Sequence, residues 1–255
     1  MISEKTYVAP SKTGYSRADL VNGLKLAGLR PGDTVFFQVS HVTLGSGECG
    51  SFGKPACELL YSAMRVVIGA KGTILVPAFS FSFDRNGDFD VGATPSVQGP
   101  WSSSGDFLEY FRLLPGVVRS ADPILSVAGI GPTAEKLLTR LPSTSYGRDC
   151  LYERLLKCDG KICGIGVGLA ETPFLHYFEE NVGAPFRYKK LFTGRIRQNG
   201  KLRKQGWIVS VPIQAANGFP DGSRGRGLWS RRVSQCEQCR QVWSRNTHGR
   251  SCRGC

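Results

Sequence analysis

The sequence predicts an α/β fold, and three observations predict it. Two apolar strand-like runs, residues 34–39 and 73–76, flank the helical pattern of residues 55–68, and a strand–helix–strand unit implies a parallel strand pair. Hydrophobic residues make up 41% of the 255 and aromatics 10%, enough for a buried core and too much for a globally disordered chain. Regular periodicity runs to about residue 215 and then stops, so the chain divides into an α/β domain at 1–215 and an irregular basic Cys-rich tail at 216–255.

Residues 16–29 read as the first helix, with Ser16 as its cap and Leu20, Leu24 and Ala27 at helical spacing. Arg30-Pro31-Gly32-Asp33 turns the chain into the strand at 34–39. In the helix at 55–68, Leu59, Leu60, Met64 and Val67 share one side, and Ala70-Lys71-Gly72 stops it before the strand at 73–76. Residues 84–105, rich in Asp, Gly, Ser and Pro, read as a long surface loop, a length that is usually functional or disordered. Short helices are expected at 107–113, 133–140 and 151–156. Residues 161–167 form a strand with a glycine-rich end, a helix opens at Thr172 and runs to about Glu180, and 202–211 is strand-like.

Absent motifs narrow the function. There is no G-x-x-x-x-G-K-[ST] loop for a P-loop nucleotide site and no G-x-S-x-G elbow for a serine hydrolase. Gly164-x-Gly166-x-Gly168 does not fit the dinucleotide fingerprint. Ser40 and His41 are adjacent on a strand end, point to opposite faces and cannot pair as nucleophile and base. No apolar run approaches the roughly 18 residues of a membrane helix, and the N-terminus lacks the pattern of a secretory signal, so a cytoplasmic protein with no membrane partner is expected.

The histidines are His41, His176 and His248. His176 stands four residues after Thr172, with Pro173 at the first helical position, and Glu179 follows three residues later. That spacing puts imidazole and carboxylate on one helix face, where the carboxylate can steady a general base. On spacing alone the pair also reads as an ordinary surface contact. The glycine-rich strand end just before the helix favours a site, because α/β sites form where strands end and helices begin.

Five patches now fall in a recognisable order. They are residues 35–45, Gly72-Thr73-Ile74-Leu75-Val76-Pro77, Gly116-Val117-Val118-Arg119-Ser120-Ala121-Asp122-Pro123 with Ser126 following, residues 147–151, and Thr172-Pro173-Phe174-Leu175-His176-Tyr177-Phe178-Glu179. Together, over residues 14–194, they resemble the aminoglycoside 3-N-acetyltransferase (antibiotic N-acetyltransferase) family. Phe186-Arg187-Tyr188-x-Lys190-x-Phe192-x-Gly194 looks more like its sugar-nucleotide N-acyltransferase branch.

The resemblance implies a layered α/β domain around a central mixed, largely parallel sheet. It implies acetyl transfer from acetyl-CoA to a primary amine of an amino sugar, an aminoglycoside or a nucleotide-linked one, by direct attack in a ternary complex. His176 would be the general base and Glu179 its orienting carboxylate. Ser40, Thr43, Gly45, Arg119 and Ser120 would contact the coenzyme, Arg119 through a phosphate. No metal ligand is assigned, and a monomer or homodimer is expected. The sequence departs from the family pattern at Gln38 and Asp122, which stand where it has histidines, at Val39, and at Cys150, where a serine is usual.

The tail has two readings. Cys236-x2-Cys239 and Cys252-x2-Cys255 could hold one zinc ion, and with the tail's arginines make a zinc-stabilised nucleic-acid-binding protein. Against this, residues 223–255 hold eight arginines, no lysine and one acid, with no apolar periodicity, the bias of a G+C-rich gene read out of frame. That stretch carries +7 of the chain's +13, which weakens the case for a nucleic-acid partner of the domain.

Overall fold

The computed structural model describes residues 14–40, 47–50, 53–96, 105–167 and 172–213. In chain order the elements are α1 (Arg17–Leu26), β1 (Thr34–Val39), α2 (Gly53–Ile68), β2 (Thr73–Pro77), β3 (Phe89–Asp90), α3 (Gly105–Arg112), β4 (Val118–Arg119) and β5 (Val127–Ile130). They continue with α4 (Ala134–Leu138), α5 (Leu151–Lys157), β6 (Lys161–Ile165), α6 (Phe174–Asn181), β7 (Arg187–Gln198) and β8 (Lys201–Pro212). Ser16 caps α1 through a reciprocal capping box with Asp19, as its hydroxyl and the Asp19 carboxylate each bond the other's backbone N–H.

The main sheet has the order β4-β5-β2-β1-β6. β1 pairs in parallel with both β2 and β6, as the strand–helix–strand pattern requires. β5 runs antiparallel to β2 and to β4, so the sheet is evenly mixed and the expectation of a largely parallel one is corrected. The antiparallel half escapes sequence reading because β4 has two residues and β5 four, too few to show a period.

β1 sorts the core. Val35, Phe37 and Val39 point into a cluster with α1, α2 and α3, whereas Phe36 points the other way, among residues of α5, α6, β7 and β8. A strand alternates faces, so a sheet covered on both sides needs apolar residues at nearly every position, which is why residues 35–39 read as an apolar run broken only by Gln38.

A second sheet, β3-β7-β8, lies within the latter cluster. β7 and β8 pair over their whole length from Arg187↔Pro212 to Gln198↔Lys201, closed by Asn199 and Gly200. Both turn residues have positive φ, 51° and 74°, the hairpin geometry for which Asn-Gly is favoured. β3 corrects the reading of residues 84–105 as loop throughout. Phe89 is fully buried and pairs with Ile196, a single anchoring residue in a polar stretch. Among the described residues no helix is long and apolar enough to cross a membrane.

Candidate active site

α6 carries the pair singled out by spacing. Its first turn is wound tightly, Leu175 N–H to the Thr172 carbonyl at 3.1 Å and His176 N–H to the Pro173 carbonyl at 3.0 Å. The regular helix therefore starts at Phe174, and Pro173, not Thr172, occupies the cap position. The Thr172 hydroxyl still accepts from the Phe174 N–H at 3.4 Å. Phe174 and Tyr177 pack into the core and turn the helix so that Glu179 is buried, while the His176 side chain stays 44% exposed.

His176 Nδ1 lies 2.8 Å from Glu179 Oε2. The same oxygen meets Arg187 Nη1 at 2.7 Å, and Arg187 Nη1 is 3.1 Å from His176 Nδ1. Arg187 is itself buried and anchored, donating from Nε to Ser210 Oγ at 3.2 Å and from Nη2 to the Ser210 carbonyl at 2.5 Å. Tyr146, buried and stacked on Tyr152, presents its ring edge-on to the imidazole at 5.9 Å. Arg187 and Tyr146 carry no local signal of this role, because one reaches the pair across a turn and the other from a distant loop.

A cavity of about 400 Å³ opens at this point. Gln38, Val39 and Pro77 line it from the C-terminal ends of β1 and β2, Pro173 and His176 from α6, and Arg187, Phe192, Val209 and Ser210 from the hairpin. The ends of parallel strands are where α/β folds place ligands. Phe79, Phe81, Ile124 and Leu125 give the cavity an apolar wall, and Asp84 adds a carboxylate. An imidazole half-open to such a space, tied at one nitrogen to a buried carboxylate, can take a proton at the other.

Of the other expected contacts, Ser40, Arg119 and Ser120 do not line this cavity. Ser40 follows β1, buried, with its N–H on the Ile165 carbonyl at 2.8 Å. Ser120 is buried, and its hydroxyl accepts from the Val127 N–H at 2.9 Å. Arg119 is buried over the Phe89 ring and does not line the cavity. It donates to Ser126 Oγ at 3.1 Å and to the carbonyls of Ala78 at 2.6 Å, Val91 at 3.4 Å and Thr94. Its fork is thus turned to the protein interior, which does not support the expected phosphate contact, and burial pushes its guanidinium down to about 10. Thr43 and Gly45, like His41, His248 and the tail cysteines, lie outside the described residues.

Three of the departures from the family pattern, Val39, Asp122 and Cys150, are buried. Asp122 accepts from the backbone N–H groups of Ile124 and Leu125 at 2.9 and 2.8 Å and from the Ser145 hydroxyl at 2.6 Å, and burial raises its carboxyl. Ser145 Oγ in turn accepts from Trp207 Nε1 at 3.0 Å. Cys150 is buried, which pushes its thiol up to about 11, so it stays protonated and unreactive near neutrality. Among the described residues no cluster of His, Cys, Asp and Glu could hold a metal ion.

Comparison with known proteins agrees with the geometry. Residues 46–219 match the family model of the aminoglycoside 3-N-acetyltransferases. Aminoglycoside N(3)-acetyltransferase VII of Streptomyces paromomycinus is 28% identical over 184 residues, 67% of this chain and 62% of that protein. Aminoglycoside N(3)-acetyltransferase IX of Micromonospora chalcea is 26% identical over 64% of this chain and 61% of that protein. The match thus spans about three-fifths of the length of these two relatives. The aminoglycoside N(3)-acetyltransferase III of Acinetobacter baumannii is 26% identical over 81% of this chain and 74% of its own. Among solved structures, AAC-VIa bound to sisomicin superimposes with a TM-score of 0.67 at 25% identity, over 80% of this chain and 81% of that one. AAC-IIIb in binary complex with CoASH shares the fold, with a TM-score of 0.64 at 20% identity over 77% of this chain and 75% of that one.

Proposed function

The chain belongs to the aminoglycoside 3-N-acetyltransferase family, and from that premise we propose that it moves an acetyl group from acetyl-CoA to a primary amine of an amino sugar. The acceptor is an aminoglycoside or a nucleotide-linked amino sugar. The observation that carries this reading is the His176–Glu179 contact of 2.8 Å at the wall of the cavity.

The chemistry follows from what an amine needs. At neutral pH a primary amine is largely protonated and has no lone pair to attack with. Glu179 accepts the Nδ1 proton of His176 and leaves Nε2 with a lone pair for the cavity, where it removes the acceptor's proton. The freed nitrogen attacks the thioester carbonyl carbon, a C–N bond forms and the C–S bond breaks. The imidazolium returns its proton to the departing thiolate and the second proton of the attacking nitrogen passes to bulk water, so the products are the amide, the free thiol and one released proton. Direct transfer suits this site because no cysteine lines the cavity among the described residues.

Mixing the protein with acetyl-CoA and a panel of aminoglycosides and amino-sugar nucleotides, and following thiol release, tests the proposal. His176→Ala is expected to lose on the order of 100-fold or more in kcat, as removal of a general base does. Glu179→Gln is expected to lose less, because it keeps an acceptor at the same place but removes the charge. Wild-type turnover by His176→Ala would remove His176 from the mechanism. No thiol release with any amine would overturn the acetyl-transfer reading.

A further inference from the structure

We propose that Phe79 and Phe81 form an aromatic subsite of the cavity. It fits the acceptor class to amino sugars with a single amine and a planar aromatic substituent, in preference to polycationic aminoglycosides. The inference rests on the acetyl-transfer reading above and narrows its acceptor.

The rings come first. Phe79 and Phe81 both line the cavity, and both are only partly buried. They meet edge-to-face, with centroids 5.9 Å apart and planes at 75°. Such a corner offers a flat guest one ring face to stack on and one ring edge to meet.

The backbone leaves its ordinary range to build that corner. Phe81 has a φ of 51°, in the left-handed region. A bulky residue is rarely found there, and the conformation persists only where the surroundings over-determine it. Here they do. The Phe81 N–H donates to the Ile124 carbonyl at 3.1 Å, and the Phe81 carbonyl accepts from the Arg85 N–H at 3.1 Å. On either side, the Ser80 N–H donates to Ile124 at 3.1 Å and the Ser82 N–H to Pro123 at 2.9 Å. Glycine would hold the same turn without strain, so the turn itself does not call for a ring.

Charge points the same way. Among the described residues Asp84 is the one carboxylate lining the cavity, and it is exposed. Glu179 stands behind His176, with Arg187 beside it at 2.7 Å. Arg187 lines the wall, and Lys190 Nζ lies 4.5 Å from the ring centroid of Phe192, another lining residue. Two cations thus offset the two carboxylates, and these groups make no net field to draw in a polycation. An aminoglycoside antibiotic carries several ammonium groups, and each one taken from water needs a charged or hydrogen-bonding partner. Of the internal stretches outside the described residues, only 168–171 contains an acid, Glu171.

The test compares three amines. 4-Nitrophenyl glucosaminide carries one amine and one aromatic ring, glucosamine one amine and no aromatic ring, and kanamycin several amines and no aromatic ring. Dissociation constants are measured by calorimetry on the full chain without acetyl-CoA, and kcat/KM by thiol release with it. The aromatic glycoside is expected to bind about 10-fold more tightly than glucosamine, the scale of one aromatic contact with its buried area, and to exceed kanamycin in kcat/KM. Phe79→Leu keeps an apolar side chain and loses the ring, and Phe81→Gly loses the ring and relaxes the backbone. Each should cut the preference for the aromatic glycoside over glucosamine to about twofold or less.

An aromatic glycoside that binds no better than glucosamine, or a preference that survives both substitutions, would overturn the proposal. Phe81→Gly should also melt no lower than Phe81→Ala, whose backbone keeps the strain. A lower melting point with an unchanged preference would leave Phe81 a structural role only and sink the subsite. Should Phe81→Gly fail to fold, Phe79→Leu decides alone. Kanamycin as the acceptor with the highest kcat/KM would overturn the subsite and leave the acetyl-transfer reading standing. Aromatic preference in binding without thiol release from any amine would support the subsite and remove the acetyl-transfer reading instead.

Discussion

Arg119 carries two readings, one from its motif and one from its surroundings in the fold. The resemblance makes it a phosphate ligand, but the folded chain surrounds its guanidinium with the carbonyls of Ala78, Val91 and Thr94 and the hydroxyl of Ser126. It joins the segment after β2 to the segment around β3 and packs on Phe89. Arg119→Met keeps the length of the side chain and strands those acceptors in the interior, so it should cost about 3 kcal/mol of stability in a urea titration. The KM for acetyl-CoA of the remaining folded protein should be unchanged, and a large rise with normal stability would return Arg119 to the coenzyme site. Asp122 makes a second case. Burial raises its carboxyl above the ordinary 3.8, so the folded chain holds that proton more tightly than the unfolded chain does. Its contribution to stability is therefore most favourable at low pH, falls as pH rises from 3.8 through the raised value, and is level beyond it. Asp122→Asn keeps an oxygen for the Ile124 and Leu125 amides and removes the titration. The urea midpoint of the variant should vary less with pH than that of the wild type between about pH 4 and pH 7, and an identical slope would place the titration elsewhere.

The β7–β8 hairpin does most to separate what was legible in the sequence from what was not. Its second strand reads as strand-like over residues 202–211, but β7 is patterned as a basic, largely exposed run and gave no period. The Asn199-Gly200 turn was the available signal for the pair. The parallel strands β1 and β2 were legible because burial on both faces makes them largely apolar runs, and β6, at the sheet edge, was legible from its apolar core and glycine-rich end. His176 and Glu179 were legible for a different reason, since a helix turns an i,i+3 spacing directly into contact. Arg187 reaches the same oxygen only because the hairpin folds back onto α6, and no local pattern encodes that. Gly194 fixes the hairpin's approach. A Cβ there would meet ring carbons of the buried Phe83, one of them at 2.6 Å, so backbone and ring pack without a side chain between them. Gly194→Ala should therefore cost about 1–3 kcal/mol, whereas Thr193→Ala, next door and exposed, should stay within about 0.5 kcal/mol. Because β7 also carries Arg187 and Phe192 to the cavity, kcat should fall in the glycine variant and not in the threonine one. Equal stabilities in thermal melts would mean that Phe83 moves aside without cost.

The tail bears on how the chain's charge and cysteines are to be understood. The sum of +13 suggests a polyanion partner, but +7 of it belongs to residues 223–255. The family match stops at residue 219, before that stretch begins. What holds the domain together is visible without the tail: two apolar clusters on opposite faces of the main sheet, and a site whose described residues include no metal-binding group. A zinc ion between Cys236, Cys239, Cys252 and Cys255 would close a loop of twelve residues between the two pairs. Stability and turnover should be indifferent to it. Dialysis of the full chain against a strong zinc chelator is expected to leave the melting midpoint within about 1 °C and the rate of thiol release unchanged. A structural metal contributes folding free energy directly, so a drop of several degrees that added zinc reverses would make the cysteine-rich tail part of the folded unit. It would also revive the reading of that segment as a selected module, and nucleic-acid binding that weakens with salt would be its next test.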